Sequence, residues 1–521
     1  MSVLRTARAA AVVARANSKF GERPDRLVRG MLAMRPYGVS ALGAIAAAVA
    51  RTPDHVAVID DDGTITYRQL WDRAHALARG LAASGVPDGA RIGLLAGNSI
   101  EFVEDLIAAQ LLGATTVLLN TRFAPLQLAA VAKSERLDAL IADRANAELA
   151  HVAKGIRIVA GDERDRLLAS DRTDHVLPRG ATARIVLLTS GTTGPAKGAL
   201  RPPGGELEGS AAVLGRIPLR HRDTRLVAAP LFHGWGLTHL LLTLGMSATV
   251  VLQRDFDPEQ TLRAVEQHRI RVAALVPVMV QRILALPPDL LASVDTSSLR
   301  VIACSGSALP ARVATETLRR FGPVLYNVYG STEVAVATIA TPRDLAAHPD
   351  TAGRPAPGAV VRILDDNDRP VPTGSVGRIF VRNALQFEGY TGGDGKQIVD
   401  GLLASGDVGS FDRKGRLIVI GREDDMIVSG GENVYPRGVE EALSRHPDIA
   451  EVTVLGGPDE EFGQSLTAWV VRSPGSRIDE HAVRHYARER LARFEVPRTV
   501  VFVDRLPRNA MGKIVRMELA R

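Results

Sequence analysis

From about Ser40 onward the chain alternates short apolar runs with longer amphipathic stretches, and this alternation restricts the fold more than any other feature. Residues 56–59 and 65–67 read as strands. Thr66 then opens a Thr-x-x-Gln capping box with Gln69. Leu70, Ala74, Leu77, Ala78 and Leu81 share one helical face, and Gly85 stops the run. Residues 91–96 read as a strand, 101–112 as a helix ended by Gly113, and 115–119 as a strand. The pairing recurs as helix 258–268 with strand 272–276, and helix 310–320 with strand 324–329. Strands and helices in this rhythm build βαβ units, so the expected class is α/β with largely parallel sheets.

The texture changes after about Ala352. Short β runs at 360–364, 376–381 and 417–420, separated by Gly, Pro and Asp, predict a small antiparallel or barrel-like subdomain. The last hundred residues change again, to strands 452–455, 467–471 and 500–503 with a helix at 479–491. The expected division is therefore an arm over 1–39, a large domain over 40–423 whose part 352–423 is β-rich, and a small α+β domain over 424–521.

The arm carries Arg5, Arg8, Arg15, Lys19, Arg23, Arg26 and Arg29 in an Ala/Val-rich stretch. Its apolar piece, 9–14, ends at Arg15 without a small-residue cleavage site, which fits a secretory signal poorly. An extra helix against the globule is the preferred reading. The alternative is a basic amphipathic helix on an anionic membrane, giving peripheral contact, or on a partner.

Cys304 is the only cysteine, which rules out an intrachain disulfide and a cysteine-rich metal site and fits a reducing, cytoplasmic setting. The residue is read as strand packing. The net charge of +6 comes from scattered arginines, and aromatics make up only 4%, so base-stacking platforms and nucleic-acid partners are not expected. Lysine is confined to Lys19, Lys133, Lys154, Lys197, Lys396, Lys414 and Lys513, which marks each as worth a question.

Four segments carry chemistry. The first is Thr189, Ser190, Gly191, Thr192, Thr193, Gly194, Pro195, Ala196, Lys197 and Gly198, directly after the apolar strand 185–188. Its glycines, hydroxyls and ammonium suit phosphate oxygens. A Walker A loop needs Gly before the Lys and Ser or Thr after it, but Ala196 and Gly198 stand there. The second is Tyr326, Asn327, Val328, Tyr329, Gly330, Ser331, Thr332 and Glu333 at a strand's carboxyl end, where open α/β sheets bind ligands. Its ring, hydroxyls and carboxylate suit a nucleotide and Mg²⁺; alone it also reads as a strand end followed by a helix capped by Ser331. The third runs from Ser405, Gly406 and Asp407 through Gly421, Arg422, Glu423, Asp424 and Asp425 to Ser429, Gly430, Gly431 and Glu432. Asp407 and Arg422 can take a ribose and phosphate, and the acidic turn looks like a hinge. The fourth is Pro507, Arg508, Asn509, Ala510, Met511, Gly512, Lys513 and Ile514 near the C-terminus, where a lysine on a small domain can neutralise developing charge.

Together, in this order, the segments resemble the adenylate-forming superfamily of acyl-CoA synthetases, nonribosomal-peptide adenylation domains and beetle luciferases. The match covers about residue 40 to the end and lies nearest the acyl- and aryl-CoA ligases, with a fatty-acid–CoA ligase as the type. The resemblance implies the adenylate-forming fold, a C-terminal domain that turns about Asp424, and ATP, Mg²⁺ and coenzyme A as co-substrates and cofactor.

Residue by residue, the resemblance implies that the loop from Thr189 to Lys197 holds the ATP phosphates. Gly306, Ser307 and Ala308, with Asn327 and Tyr329, lie at the adenine. Thr332 meets the α-phosphate, and Glu333 holds the metal. Asp407 and Arg422 take the ribose, and Lys513 bridges carboxylate and α-phosphate. His233, Gly234, Trp235, Gly330 and Ser331 line the acyl pocket and tunnel gate, with His233 read as wall, not base. Ser429, Gly430, Gly431 and Glu432 line the CoA tunnel after rotation. One departure is visible: Arg201, Pro202, Pro203, Gly204 and Gly205 stand where family members often carry a polar residue after the phosphate loop.

The expected activity is activation of a carboxylic acid to acyl-AMP and transfer to coenzyme A. The apolar stretch 235–244 favours a medium- or long-chain fatty acid. The alternatives are an aryl- or short-acid CoA ligase, a ligase loading a carrier-protein thiol, whose usual insertion is not evident, and a non-catalytic sensor, against which Glu333, Asp407 and Lys513 argue. A homodimer is left open.

Overall fold

Two sheets with helices on both faces carry the large domain of the computed structural model, which describes residues 2–17, 24–170, 177, 183–189, 197–200, 205–393, 395–429, 432–459 and 463–519. The first sheet has nine strands, in the order Arg354–Pro355, Ala335–Ala340, Leu325–Ser331, Val301–Cys304, Val272–Leu275, Thr224–Val227, Thr249–Leu252, Val56–Asp60 and Gly63–Thr66. Its interior pairs are parallel and its two edges antiparallel. The second has seven, Gly389–Tyr390, Gly198–Leu200, Arg184–Leu188, Thr115–Leu118, Arg91–Leu95, Ala139–Ala142 and Arg157–Ala160, again with a parallel centre. Central strands such as Val272–Leu275 are buried at every position, as expected when helices cover both faces.

Helix Tyr67–Ala83 shows how the pattern works. Thr66 and Gln69 close the capping box, and Leu70, Ala74, Leu77, Ala78 and Leu81 are all buried. Tyr67, expected at a strand end, is instead the first helical residue. Its buried hydroxyl donates to the carbonyls of Leu244 and Ala248, which pulls the ring inward and starts the helix there. After Leu325–Ser331 the chain does not enter a helix capped by Ser331; it returns as the antiparallel strand Ala335–Ala340. The Ser331 hydroxyl accepts from the N–H groups of Glu333 and Val334 and so caps a turn. Ala335 takes a φ of 50° there, and a Cβ on Gly330 would sit 1.8 Å from the Ala335 carbonyl oxygen, so only glycine fits.

The β-rich segment is a five-stranded antiparallel sheet of Val360–Leu364, Gly377–Arg382, Leu402–Phe411, Ile398–Val399 and Leu417–Arg422. The chain then passes to a second five-stranded sheet, Ile427–Ser429, Glu432–Val434, Ile449–Asp459, Gly463–Arg472 and Thr499–Phe502. Helices Pro436–Leu443 and Glu480–Arg488 pack against it, the latter ending short of residue 491. Only residues 423–426 join the two sheets.

The arm forms two helices, Ser2–Asn17 and Pro24–Met34. The first lies on helix Glu206–Leu214, where Thr6 Oγ1 donates to Glu208 Oε1 at 2.8 Å and Ala9 is buried. The second lies on helix Ala41–Arg51, so closely that a Cβ on Gly30 would meet Arg51 Cδ at 2.8 Å. Among the described residues no helix is long and apolar enough to cross a membrane.

Candidate active site

The strand ends of the first sheet open into one long cavity of about 2820 Å³, walled on its far side by the C-terminal domain. The β-hairpin at Gly330 sends Ser331, Thr332 and Glu333 into it. Glu333 is the best-braced of these. Its Oε1 accepts from the Tyr390 hydroxyl and its Oε2 from the Ser331 hydroxyl, both at 2.7 Å. Burial pushes its pKa up, but the two hydrogen bonds and the charge of Lys396 outweigh that. The carboxylate is held below its usual range, ionised and oriented.

Asp407 comes from the long strand Leu402–Phe411, opposite Arg422 in register on Leu417–Arg422. Its Oδ2 accepts from the Tyr329 hydroxyl at 2.6 Å, and its Oδ1 lies 3.6 Å from Arg422 Nε. Burial raises its pKa, against the Tyr329 hydrogen bond and the charges of Arg422, Lys396 and Lys513. Burial and the Asp407 charge together push the Tyr329 hydroxyl well above its ordinary value, so it is a fixed donor. Arg422 also reaches Asp424, with Nη2 to Oδ2 at 3.5 Å, which links the Asp407–Arg422 pair to the junction between the two sheets.

Lys513 enters from the C-terminal domain. Asn509 holds its loop, accepting the Met511 and Lys513 N–H groups through Oδ1. The loop is pressed into the cleft: a Cβ on Gly512 would lie 2.3 Å from Val278 Cγ1, and one on Gly306 would lie 2.6 Å from Met511 Cε. Glycine is required at both positions, each with positive φ. Burial against the cleft walls and the Arg422 guanidinium pull the Lys513 pKa down, opposed by Asp407 and Glu333. The walls crowd the ammonium without sealing it, and the residue remains open to solvent.

His233 precedes helix Gly234–Gly245 as its N-cap. Burial and the nearby Lys513 charge pull its pKa down to about 4, so it is neutral at pH 7 and packs on Phe232 with ring centroids 4.7 Å apart. Trp235 is buried and donates from Nε1 to the Leu275 carbonyl, 3.1 Å away. The apolar stretch 235–244 is split by the helix. Trp235, Leu237, Thr238, Leu241 and Leu242 line the cavity, whereas Leu240 and Leu244 face the core. Such a stretch reflects a helix buried on several sides as much as a deep slot.

Of the sequence-derived residues, Thr189, His233, Gly234, Trp235, Gly306, Ser307, Ala308, Asn327, Tyr329, Gly330, Ser331, Thr332, Glu333, Asp407, Arg422, Asp424 and Lys513 line this cavity. Asn327 is buried, with its amide donating to the Thr351 carbonyl. Lys197 does not line it. Its ammonium sits 5.7 Å from the Tyr390 ring centre, and its backbone closes the loop base against Thr189. Ser429 and Glu432 also lie outside the cavity and pair with each other in register. Ser190, Gly191, Thr192, Thr193, Gly194, Gly430 and Gly431 fall outside the described residues. Cys304 is buried with its thiol pushed up to about 12, which removes it as a nucleophile. Sequence reasoning missed Tyr390, Lys396 and Arg437, all in the cavity wall. Lysine's scarcity was the one signal that pointed at Lys396.

Among the described residues no group of three or more His, Cys, Asp or Glu is placed to hold a metal. A magnesium ion held by one carboxylate and substrate phosphates needs no such cage, and the ionised Glu333 fits that role.

The AMP-binding enzyme family model matches residues 45–391, and the AMP-binding enzyme C-terminal domain matches 438–513. The chain belongs to this family of adenylate-forming enzymes, and it is an AMP-forming acid–thiol ligase. It is 37% identical over 487 residues to a feruloyl-CoA synthase of an Amycolatopsis species, a match that covers 91% of this chain and 97% of the relative. It is 35% identical to an indoleacetate–CoA ligase of Aromatoleum aromaticum, covering 90% and 96%. Among solved structures, the o-succinylbenzoate CoA synthetase of Bacillus subtilis in complex with its acyl-adenylate intermediate superimposes with a TM-score of 0.82 at 26% identity, over 92% of this chain and 98% of that one.

Proposed function

We propose that the protein activates an aryl carboxylic acid with ATP and transfers the acyl group to coenzyme A. The relatives named for feruloyl, indoleacetate and o-succinylbenzoate substrates support the aryl-acid alternative over the fatty-acid reading, and the splitting of stretch 235–244 removes the main residue-level reason for a fatty acid.

The observation that carries the mechanism is the entry of Lys513 into the cleft that holds Glu333 and Asp407. A carboxylate and the α-phosphate of ATP repel each other, so their union needs positive charge between them. Lys513 supplies that charge from the C-terminal domain. Asp407 and Arg422 orient the ribose, Tyr329 fixes Asp407, and Thr332 meets the α-phosphate. Glu333, kept ionised by Tyr390 and Ser331, would hold Mg²⁺, which when bound neutralises the leaving pyrophosphate. His233, neutral beside Lys513, walls the acid carboxylate's entry and adds no competing charge.

Thioester formation needs a thiol where the Lys513 loop now stands. The C-terminal domain therefore turns about Asp424, in the short 423–426 junction, and brings residues 429–432 to the cleft as the CoA tunnel wall. The experiment is pyrophosphate release with cinnamate, ferulate, indoleacetate, 2-succinylbenzoate and a series of alkanoic acids, with and without coenzyme A. Aryl acids should release pyrophosphate, with kcat/KM at least tenfold above any alkanoate. An alkanoate preference would reject the aryl reading.

A further inference from the structure

The arm precedes Ile45, where the family match begins, yet it is built into the domain and reaches the acid cavity. The same cavity that holds Lys513 and Glu333 is lined also by Trp235, Thr238 and Leu241 and by side chains of both arm helices. There Ala10, Val13 and Ala14 of the first helix, and Leu27, Met31 and Met34 of the second, form the wall. Ala10 and Ala14 are exposed, Leu27 is 45% exposed and Met31 61%. Ala10, Ala14, Leu27 and Met31 border the cavity without being covered by the described residues, so they are open to an occupant. Arg8, Arg15, Arg26 and Arg29 do not border it; Arg35 and Arg51 do. The docking is firm at both ends: Glu208 accepts from Thr6, the Ala16 carbonyl accepts from the His221 N–H, and Gly30 packs on Arg51.

We propose that the arm helices form an apolar annexe of the acid site, and that the preferred acid is an aryl acid whose ring carries an extended apolar substituent that lies between them. The proposal rests on the aryl-acid reading above and adds the arm as a specificity element outside the part of the chain that the family shares. The carboxylate stays at Lys513, the ring lies along Trp235 and Thr238, and the substituent continues toward Ala14 and Met31. Each methylene drawn from water into such a wall raises kcat/KM roughly three- to fourfold.

The test is pyrophosphate release by the full chain with cinnamate and its 4-methoxy, 4-butoxy and 4-octyloxy derivatives. For the wild type, kcat/KM should climb with substituent length. Ala14→Trp and Met31→Trp should lower kcat/KM for the octyloxy acid at least tenfold while leaving cinnamate and the KM for ATP unchanged. Ala11→Trp, exposed on the same helix but outside the wall, should match the wild type. A flat length profile, or variants that impair cinnamate and the octyloxy acid equally, would overturn the annexe while the aryl reading stands. No pyrophosphate from any cinnamate, with turnover of alkanoates, would overturn both.

Discussion

Around Glu333, Asp407 and Lys513 the wall is a mesh of charges and hydrogen bonds, whereas at the arm it is mostly Ala, Val, Leu and Met, with Ala10, Ala14, Leu27 and Met31 exposed to the cavity. The two ends of one cavity thus follow opposite rules. At the nucleotide end each group is oriented by another, and position decides rate. At the arm end apolar side chains predominate, beside Arg35 and Arg51, and contact area decides which acid is held. Substitutions at the nucleotide end should therefore change chemistry, and those at the arm only selection.

The largest expected effect breaks the nucleotide end. Lys513→Ala should cut acyl-adenylate formation by about 10²–10³, while thioester formation from supplied acyl-AMP stays within a fewfold of wild type. Equal losses in both half-reactions would erase the special role of this end. Asp424→Pro should stiffen the junction and lower overall thioester synthesis by roughly 10² while sparing adenylate formation, because φ is fixed where the domain must turn. Stopped-flow assays of each half-reaction read both variants. Tyr390→Phe removes a donor to Glu333 and should slow adenylation roughly tenfold and raise the Mg²⁺ concentration needed for half-maximal rate, since hydrogen bonds to charged groups carry this much.

The smallest effect is on stability. His239 is buried against Trp235, and neither ring nitrogen has a hydrogen-bond partner among the described residues; burial and Arg225 pull its pKa from 6.5 to about 3. The unfolded chain therefore binds a proton below pH 6.5 that the folded chain refuses. This residue's contribution is complete above pH 6.5 and is lost as pH falls toward 3, amounting to about 2 kcal/mol at pH 5. The urea midpoint should fall between pH 8 and pH 5, and His239→Leu should flatten that slope.

Legibility in the sequence followed the same divide. Thr332, Glu333, Asp407, Arg422 and Lys513 stand in contiguous blocks of unusual composition, so the residues that line the cavity could be picked out one block at a time. The braces could not. Tyr390 reaches Glu333 across 57 residues and Thr391 reaches Glu135 across 256, distances that no local pattern spans. The alternation of strands and helices gave the α/β class, but Tyr67 and the Gly330 hairpin were decided by a buried hydroxyl and by a carbonyl with no room beside it. The arm's second helix and its place in the acid cavity were not legible, because alanine and methionine carry no chemistry that distinguishes a wall from a core.

The central claim is that this cleft joins an aryl acid to AMP before any thiol arrives. The direct measurement is mass spectrometry of the full chain incubated with ATP, Mg²⁺ and an aryl acid without coenzyme A. The account predicts one enzyme-bound aryl-AMP per chain, discharged as a thioester when coenzyme A is added. AMP that appears only in the presence of coenzyme A, with no adenylate before it, would contradict the account.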